Sequence, residues 1–523
     1  MDADVVVVGS GINSLVCAGL VAKADQKVVV LERNEVPGGC IRSGEVTVPG
    51  FMHDVLSGFH PLFVTSPGYA ELGDDLHARG LEYVNTESPT GVVLPDHRTL
   101  ILKTSRDANI SAFENGAPGD GKAYARSVGE IEAAAPLLFG LLGSEPWRWG
   151  TARMLAGEAW KNGPLSLARF FGEAMGTCRH WLETEFRSDV ARALLAPWIL
   201  HTGLGPEAPL SGVMGKLIAF TLEAAGMPVV KGGSVRLVDA FRKLIEDNGG
   251  QILCGQDVER VIVRNGRAEA VRTAGEEYRA RRAVVCNVTP TQLYGRLLSD
   301  DHVPARVRQE ASRYRYGRGD MQIHVAMDEP PDWRDGALSQ VAMLHLTSGL
   351  DGVSRAVNEA ERGLLPAEAT IVLAQPTALD PSRAPDGKWI LWLQLQELPR
   401  NVKGDAAGEI ETPPDGRWTD ALKERYADRI LERVAVHMPN LKRAMLGRTV
   451  LSPADLEALN MNLVGGDPYS GDCGIDQFLL WRPLKSLKNH ATPVKQLYHI
   501  GASTHPGPGL GGGSGYMVAK HLI

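Results

Sequence analysis

Uninterrupted apolar runs, helix-period runs and alternating runs follow one another along this chain in an order that predicts an α/β protein. Residues Asp4 to Gly9 include four consecutive valines with no polar alternation, the pattern of a strand buried on both faces of a parallel sheet. Leu15 to Ala22 then carry apolar residues at helical spacing, and Lys27 to Leu31 form a second buried strand that ends at Glu32. In the middle of the chain, Val235, Leu237, Val238, Phe241, Leu244 and Ile245 mark one face of a helix over residues 235–248, stopped by Gly249-Gly250. Gln251 to Leu253, Val258 to Val263 and Ala268 to Thr273 read as strands, with Asn265-Gly266 as a hairpin turn, and Arg282 to Asn287 as another buried strand. Ile131 to Leu142, Ser166 to Met175 and Val190 to Leu200 are helical in spacing. Lys495 to Gly501 reads as a last strand, and a short helix begins at Tyr516.

The turn between the first strand and first helix is Gly9-Ser10-Gly11-Ile12-Asn13-Ser14. Gly9 permits the tight turn, Gly11 lets the backbone approach a pyrophosphate, and the helix N-terminus stabilises the phosphate charge. Glu32 lies 23 residues after Gly9, where a carboxylate accepts a hydrogen bond from a ribose hydroxyl and repels a 2′-phosphate, which disfavours NADP. Strand, glycine turn, helix, strand and acid together predict a dinucleotide site. The third glycine of the usual fingerprint is replaced by Ser14, small enough for close helix–strand packing.

Behind Glu32 comes Arg33-Asn34-Glu35-Val36-Pro37-Gly38-Gly39-Cys40-Ile41-Arg42-Ser43. This Gly-Gly pair resembles the second signature of the FAD-dependent phytoene desaturase and flavin amine oxidase superfamily. Met227 to Ser234 and Val284 to Pro290 resemble that family's central segments, and Gly471 to Gln477 with Arg482-Pro483 resemble a later one. Leu497 to Gly515 resembles its C-terminal motif, with seven glycines between Gly501 and Gly515. The resemblance implies FAD as cofactor, held by Gly9, Gly11, Asn13, Ser14, Glu32, Arg33, Gly38, Gly39, Arg42, Val258, Gly501, Ala502, Leu510, Gly511 and Gly512. Arg42 is the implied phosphate partner, because Cys40 stands where the family usually has arginine. The implied fold is a Rossmann-like FAD-binding domain of the second glutathione-reductase (GR2) type, built from residues 1–66, 227–300 and 449–523. An inserted α+β substrate lobe would take residues 67–226 and 301–448.

Composition narrows the class. Gly is the outlier, 58 of 523 residues, about 11% against a usual share of roughly 7%. With 55 basic and 62 acidic side chains the net charge is −7, and no basic block suggests nucleic acid. Six widely spaced cysteines without a C-x-x-C pair argue against a zinc site or disulfide scaffold, and no metal is expected. There is no signal-peptide pattern and no apolar run of the ~20 residues a membrane span needs, so a cytoplasmic location is expected. Trp147, Trp149, Trp160, Trp181 and Trp198, interleaved with Arg148, Arg153 and Lys161, build either the core of a lobe or a surface for peripheral membrane contact. No hydrolase or metalloprotease motif occurs.

The expected activity is an FAD-dependent dehydrogenase or desaturase. Hydride would leave a carbon of a largely apolar small molecule, isoprenoid or alicyclic, for flavin N5, and electrons would leave to oxygen, a quinone or another acceptor. His505 and His60 are the candidates for proton handling. A flavin amine oxidase, a redox-neutral isomerase of the carotenoid type and a non-catalytic flavin-fold binding protein share the scaffold.

Overall fold

The computed structural model describes all 523 residues. β1 (Asp2–Val8), α1 (Ile12–Lys23) and β2 (Val28–Leu31) open the chain. α2 (Pro67–His77) precedes a hairpin of β3 (Thr90–Val93) and β4 (Thr99–Leu102). A helical stretch follows with α3 (Asp120–Leu142), α4 (Trp149–Asn162), α5 (Pro164–Ala174) and α6 (Ser211–Ala225). Next come α7 (Val235–Asp247), β5 (Gln251–Leu253), β6 (Val258–Arg264), β7 (Arg267–Thr273) and β8 (Glu277–Asn287). β9 (Gly319–Met327), β10 (Met343–Leu346), β11 (Ile371–Ala374) and β12 (Trp389–Leu398) lead to α8 (Asp420–His437) and β13 (Met445–Leu451). β14 (Leu497–Ile500) and α9 (Gly513–Leu522) close the chain.

The first sheet has the order β6-β7-β8-β1-β2-β5, with β14 on the other partner edge of β8. β2, β1, β8 and β14 run parallel, and Leu31, Val8, Cys286 and His499 share one level of the register. Their carboxyl ends therefore coincide, which sets Glu32, Gly9 and Asn287 side by side at the edge where α/β sheets bind ligands. The valines of β1 are buried because both faces are covered. On one face α1, α2, α7 and α9 contribute Leu15, Leu72, Phe241 and Val518 to a shared core. On the other face Leu293, Leu297 and Tyr314 pack against Val6 and Val284.

The second sheet, β13-β9-β12-β11-β10-β3-β4, is antiparallel except where β10 meets β3. One face packs Ile323, Leu393 and Leu395 against Tyr426 and Ile430 of α8. The opposite face packs Met343, Val372, Ala374 and Trp392 against Trp181, Trp198 and Leu222 of the helical stretch. The division into lobes expected from sequence cuts close to this packing at two places. α2, just past residue 66, places Leu72 and Leu76 in the first-sheet core, and β13, which spans residue 448, is an edge strand of the second sheet. We propose lobes drawn accordingly, with α2 on the first side and β13 on the second.

Two local expectations change. The helix expected over residues 190–200 is α-helical only over Asp189–Leu195 and continues as a 3₁₀ turn, Ala196–Thr202, because Pro197 has no N–H for the next helical bond. The tryptophans split between the two readings. Trp181 and Trp198 are core, whereas Trp149 and Trp160 on α4 are 88% and 93% exposed. No helix is long and apolar enough to cross a membrane.

Candidate active site

One cavity of about 830 Å³ runs from the carboxyl ends of β1, β2 and β8 to the inner face of the second sheet. At its first end Gly9 has φ +85°, a conformation open to glycine without strain. No side chain caps α1 at Gly11 and its first turn holds no acid, so the helix start presents unclaimed N–H groups and positive charge. The Gly38-Gly39 backbone lies so close that a Cβ on Gly39 would sit 3.0 Å from the Gly11 Cα. Glu32 is buried and oriented by neighbours: Oε2 accepts from the Ser10 N–H and Oγ–H at 3.0 and 2.6 Å, and Oε1 accepts from the Asn34 N–H at 2.9 Å. Val258 stands nearby, since the Gln256 N–H donates to the Glu32 carbonyl at 2.8 Å. The start of α9 has a glycine, Gly512, at its N-cap, and of its first-turn N–H groups that of Gly515 is taken by Asn13 Oδ1 at 3.1 Å.

The far end is walled by apolar and aromatic side chains, among them Met214, Leu217, Ile218, Met343, Trp392 and Phe478. Trp198 and His201 stack with ring centroids 4.6 Å apart, and His201 Nε2 lies 3.1 Å from His345 Nε2. Burial holds His201 neutral, its pKa pushed down to about 3. Asp320, Gln322, Gln394, Gln396 and Tyr469 add a buried polar group to this wall.

The donor set of the first end fits a dinucleotide. The uncapped start of α1 and the glycine-rich start of α9 face the cavity, a glycine cradle leaves no room for side chains, and a buried, oriented carboxylate keeps lone pairs free for a ribose hydroxyl. In the comparisons with known proteins, the family model for NAD(P)-binding Rossmann-like domains matches residues 7–70. The rat protein named pyridine nucleotide-disulfide oxidoreductase domain-containing protein 2 is 27% identical, over 99% of this chain and 93% of that one. One of the limonene dehydrogenase subunits of Castellaniella defragrans is 25% identical over 99% and 94% of the two chains. The zeta-carotene-forming phytoene desaturase of Myxococcus xanthus is 25% identical over 97% and 90%. Among solved structures, wild-type putrescine oxidase bound to putrescine is similar with a TM-score of 0.61, at 17% identity and over 100% and 99% of the chains. Its near full-length relatives and its fold mark the chain as an FAD-dependent oxidoreductase, similar to the phytoene desaturase-like proteins and sharing the fold of the amine oxidases.

In this oxidoreductase the cavity wall holds Gly9, Gly11, Asn13, Glu32, Arg33, Gly38, Gly39, Val258, Ala502, Leu510, Gly511 and Gly512. Ser14, Arg42 and Gly501, expected at the cofactor, are not on that wall. Ser14 Oγ instead accepts from Asn287 Nδ2 at 3.0 Å, tying α1 to the end of β8. Arg42 contributes its backbone carbonyl to the Val55 N–H at 2.7 Å, whereas Arg33 and Arg296 are the arginines on the cavity wall. A Cβ on Gly501 would lie 2.3 Å from Asn287 Oδ1, and one on Gly515 would lie 1.8 Å from the Asn13 carbonyl oxygen. Part of the C-terminal glycine run therefore serves to dock α9 on α1 and β14 on β8. Asn13 joins this docking, accepting from the Gly515 N–H at 3.1 Å.

Neither histidine expected to handle protons reaches the cavity. His505 Nε2 lies 3.0 Å from the Leu141 carbonyl oxygen, which holds its proton there, and burial lowers its pKa to about 4. His60 is fully buried with Nδ1 3.1 Å from the Tyr83 hydroxyl, and burial lowers it also to about 4. Both are neutral packing residues. Cys40 does line the cavity, but burial pushes its thiol up to about 11, so no thiolate is available there near neutral pH. The chemistry-bearing residues missed from sequence are Trp198, His201, Asp320, Gln322, Trp392, Gln394, Gln396 and Tyr469. A readable signal existed for some: β9 and β12 alternate polar and apolar residues over Asp320-Met321-Gln322 and Gln394-Leu395-Gln396, so one face of each strand is polar.

Proposed function

We propose that this enzyme removes a hydride from a carbon of a largely apolar small molecule of isoprenoid or alicyclic type. The observation that carries the reading is the continuity of one cavity from the glycine cradle to an aromatic and aliphatic chamber. Bound FAD supplies the hydride acceptor, N5, for such an oxidation. Gly9, Gly11, Gly38, Gly39, Leu510, Gly511 and Gly512 would hold its phosphate and ribityl portions with backbone, Glu32 its ribose, and Val258 its adenine end. Met343, Trp392, Leu217 and Ile218 exclude water and press the substrate carbon towards the cradle. Burial disfavours the charged forms of the chamber's titratable groups, His201, Asp320 and Tyr469, which suits transfer of hydride better than abstraction of a proton by a charged base. The relatives named for limonene and phytoene act on apolar isoprenoids, which supports the same class here. Electrons would pass on to oxygen, a quinone or another acceptor.

The test is anaerobic bleaching of the flavin bands by a panel of apolar alkenes, alicyclic compounds and amines, each with and without a quinone. Bleaching by an alkene or alicyclic compound, reversed by the acceptor, is expected. Bleaching by amines alone would overturn the substrate class in favour of an amine oxidase.

We also propose that α4 and α5 meet an anionic lipid surface. Trp149, Trp160 and Leu165 are 88%, 93% and 72% exposed. Across α4, α5 and the flanking Arg148, four basic residues (Arg148, Arg153, Lys161 and Arg169) outnumber the two acids Glu158 and Glu173, in a chain whose net charge is −7. Phe139 and Leu62, both on the cavity wall, are half exposed and extend the apolar surface to the chamber, an arrangement suited to taking an apolar substrate from a bilayer.

A further inference from the structure

The inner face of the second sheet is unlike the rest of the chamber. Gln322 of β9 and Gln394 of β12 are cross-strand partners, and Asp320 and Gln396 occupy neighbouring positions of the same strands. All four line the cavity, and Asp320 is only 1% exposed. The opposite face of these strands is mostly apolar, with Met321, Ile323, Leu393 and Leu395 in the core and Glu397 as its buried exception, its Oε1 accepting from the Thr370 N–H at 2.7 Å. Buried polar side chains at such positions cost about 1–3 kcal/mol each when left unpaired, so a chamber for hydrocarbon alone would not contain them.

Their hydrogen bonds are half complete. Asp320 Oδ2 accepts from Gln322 Nε2 at 3.2 Å and from Gln394 Nε2 at 2.5 Å. Gln396 Nε2 donates to the Tyr469 hydroxyl at 3.2 Å, which itself donates to the Leu200 carbonyl at 2.5 Å. These bonds fix the side chains and leave Asp320 Oδ1, Gln322 Oε1 and Gln396 Oε1 without a partner. The indole N–H groups of Trp198 and Trp392, on the same cavity wall, are also unpartnered. These unpartnered acceptors and donors are buried in the wall of the chamber that their side chains line.

We propose that this cluster recognises a hydroxyl group on the otherwise apolar substrate, so that the enzyme selects an alcohol over the corresponding hydrocarbon. A hydroxyl both donates and accepts, and can meet a glutamine oxygen and an indole N–H at once. Burial also raises the Asp320 carboxyl well above the usual carboxylate range. With Oδ2 accepting two amide N–H groups, a proton on Asp320 belongs on Oδ1, where it is a further donor. A neutral acid pairs with a hydroxyl and not with an ammonium group, which would call for a carboxylate. The inference rests on the chamber being the substrate site of the oxidoreductase.

Three probes of one skeleton test it on the purified holoenzyme: geraniol, its hydrocarbon counterpart 2,6-dimethyl-2,6-octadiene, and geranylamine. Affinity is read by calorimetry with the flavin oxidised, independently of turnover. Geraniol is expected to bind at least 10-fold more tightly than the hydrocarbon, and Gln396→Leu or Gln322→Leu to erase that preference by weakening geraniol alone. A site built to bond a hydroxyl discriminates in this way because its own polar groups go unpaired otherwise. Equal affinity for alcohol and hydrocarbon, tighter binding of the amine, or no binding of any probe would overturn the proposal. The wild-type comparison stands even if a variant fails to fold. If geraniol binds with the expected preference but bleaches no flavin, hydroxyl recognition stands and the hydride-donor reading fails.

Discussion

At the scale of residues, Arg482 shows how the C-terminal glycine segment is held in place. It is 1% exposed and donates to the carbonyl oxygens of Ala502 at 2.8 Å and Tyr469 at 2.7 Å. One guanidinium therefore joins the last glycine turn to the loop that brings Tyr469 into the chamber. Arg482→Leu deprives both carbonyls of their donor, at about 1–3 kcal/mol each where water does not replace it. A loss of about 3 kcal/mol in urea-unfolding free energy is expected, and Arg482→Lys should restore little of it because an ammonium cannot span the same acceptors. A wild-type midpoint for Arg482→Leu would contradict this role. Gly9, Gly11 and Glu32 were legible in the sequence because a glycine turn between a strand and a helix dictates its chemistry locally. Arg42, His60 and His505 were misread because what they touch comes from distant segments. Arg42 serves Val55, His60 meets Tyr83 and His505 meets Leu141, and no spacing in the sequence reports those meetings.

Elements are joined by a buried ion triad. Arg383, with no exposed surface, donates to Asp380 Oδ2 at 2.8 Å and Asp54 Oδ2 at 3.0 Å. The two carboxylates in turn accept from the Gly232 and Ser234 N–H groups, at 2.7 and 2.8 Å, just ahead of α7. The triad thereby ties the second-sheet side of the molecule to the start of a helix that packs on the first sheet. Arg383→Met strands two buried carboxylates and should cost about 3–5 kcal/mol. Combining Arg383→Met with Asp54→Asn and Asp380→Asn should cost less than the single change, as read by thermal and urea unfolding. A triple variant less stable than Arg383→Met would contradict the account. The parallel strands and α7 were legible as elements, since continuous apolar runs and helical periodicity are local. The second sheet was not, because β3, β4 and β13 join it from far along the chain. Asp320 and Gln322 become informative only through burial, which exposes the fact that their oxygens Oδ1 and Oε1 lack partners.

Across the whole molecule, burial depresses the pKa of His53 and His201 to about 3 and of His60, His324, His499 and His505 to about 4. These folded-state values lie below the unfolded value near 6.5, so the unfolded chain takes up more protons as pH falls from about 6.5 to about 4. Each such proton costs about 1.4 kcal/mol of stability per pH unit within that window. Buried Asp320, Glu397 and Asp467, whose pKa values are raised, act in the opposite direction but are fewer. The melting temperature should therefore fall by roughly 10 °C or more between pH 7.5 and pH 5. An unchanged or higher value at pH 5, measured by circular dichroism, would refute this. The exposed aromatic face of α4 and α5 predicts cosedimentation with phosphatidylglycerol-containing vesicles at low salt. Binding should drop in Trp149→Ala/Trp160→Ala, and an absence of vesicle binding by the wild type would remove the proposed membrane contact.

The glycine excess of the sequence has two structural uses: a cradle at Gly9, Gly11, Gly38 and Gly39, and helix docking around Gly515. The cradle carries the central claim, that this fold is built to hold FAD. The absorbance spectrum of the purified protein, with bound flavin quantified after release, tests it most directly. The account predicts flavin bands and about one FAD per chain, sharply reduced in Gly39→Val, whose side chain would enter the space beside Gly11. A colourless protein that takes up no FAD on reconstitution would contradict it.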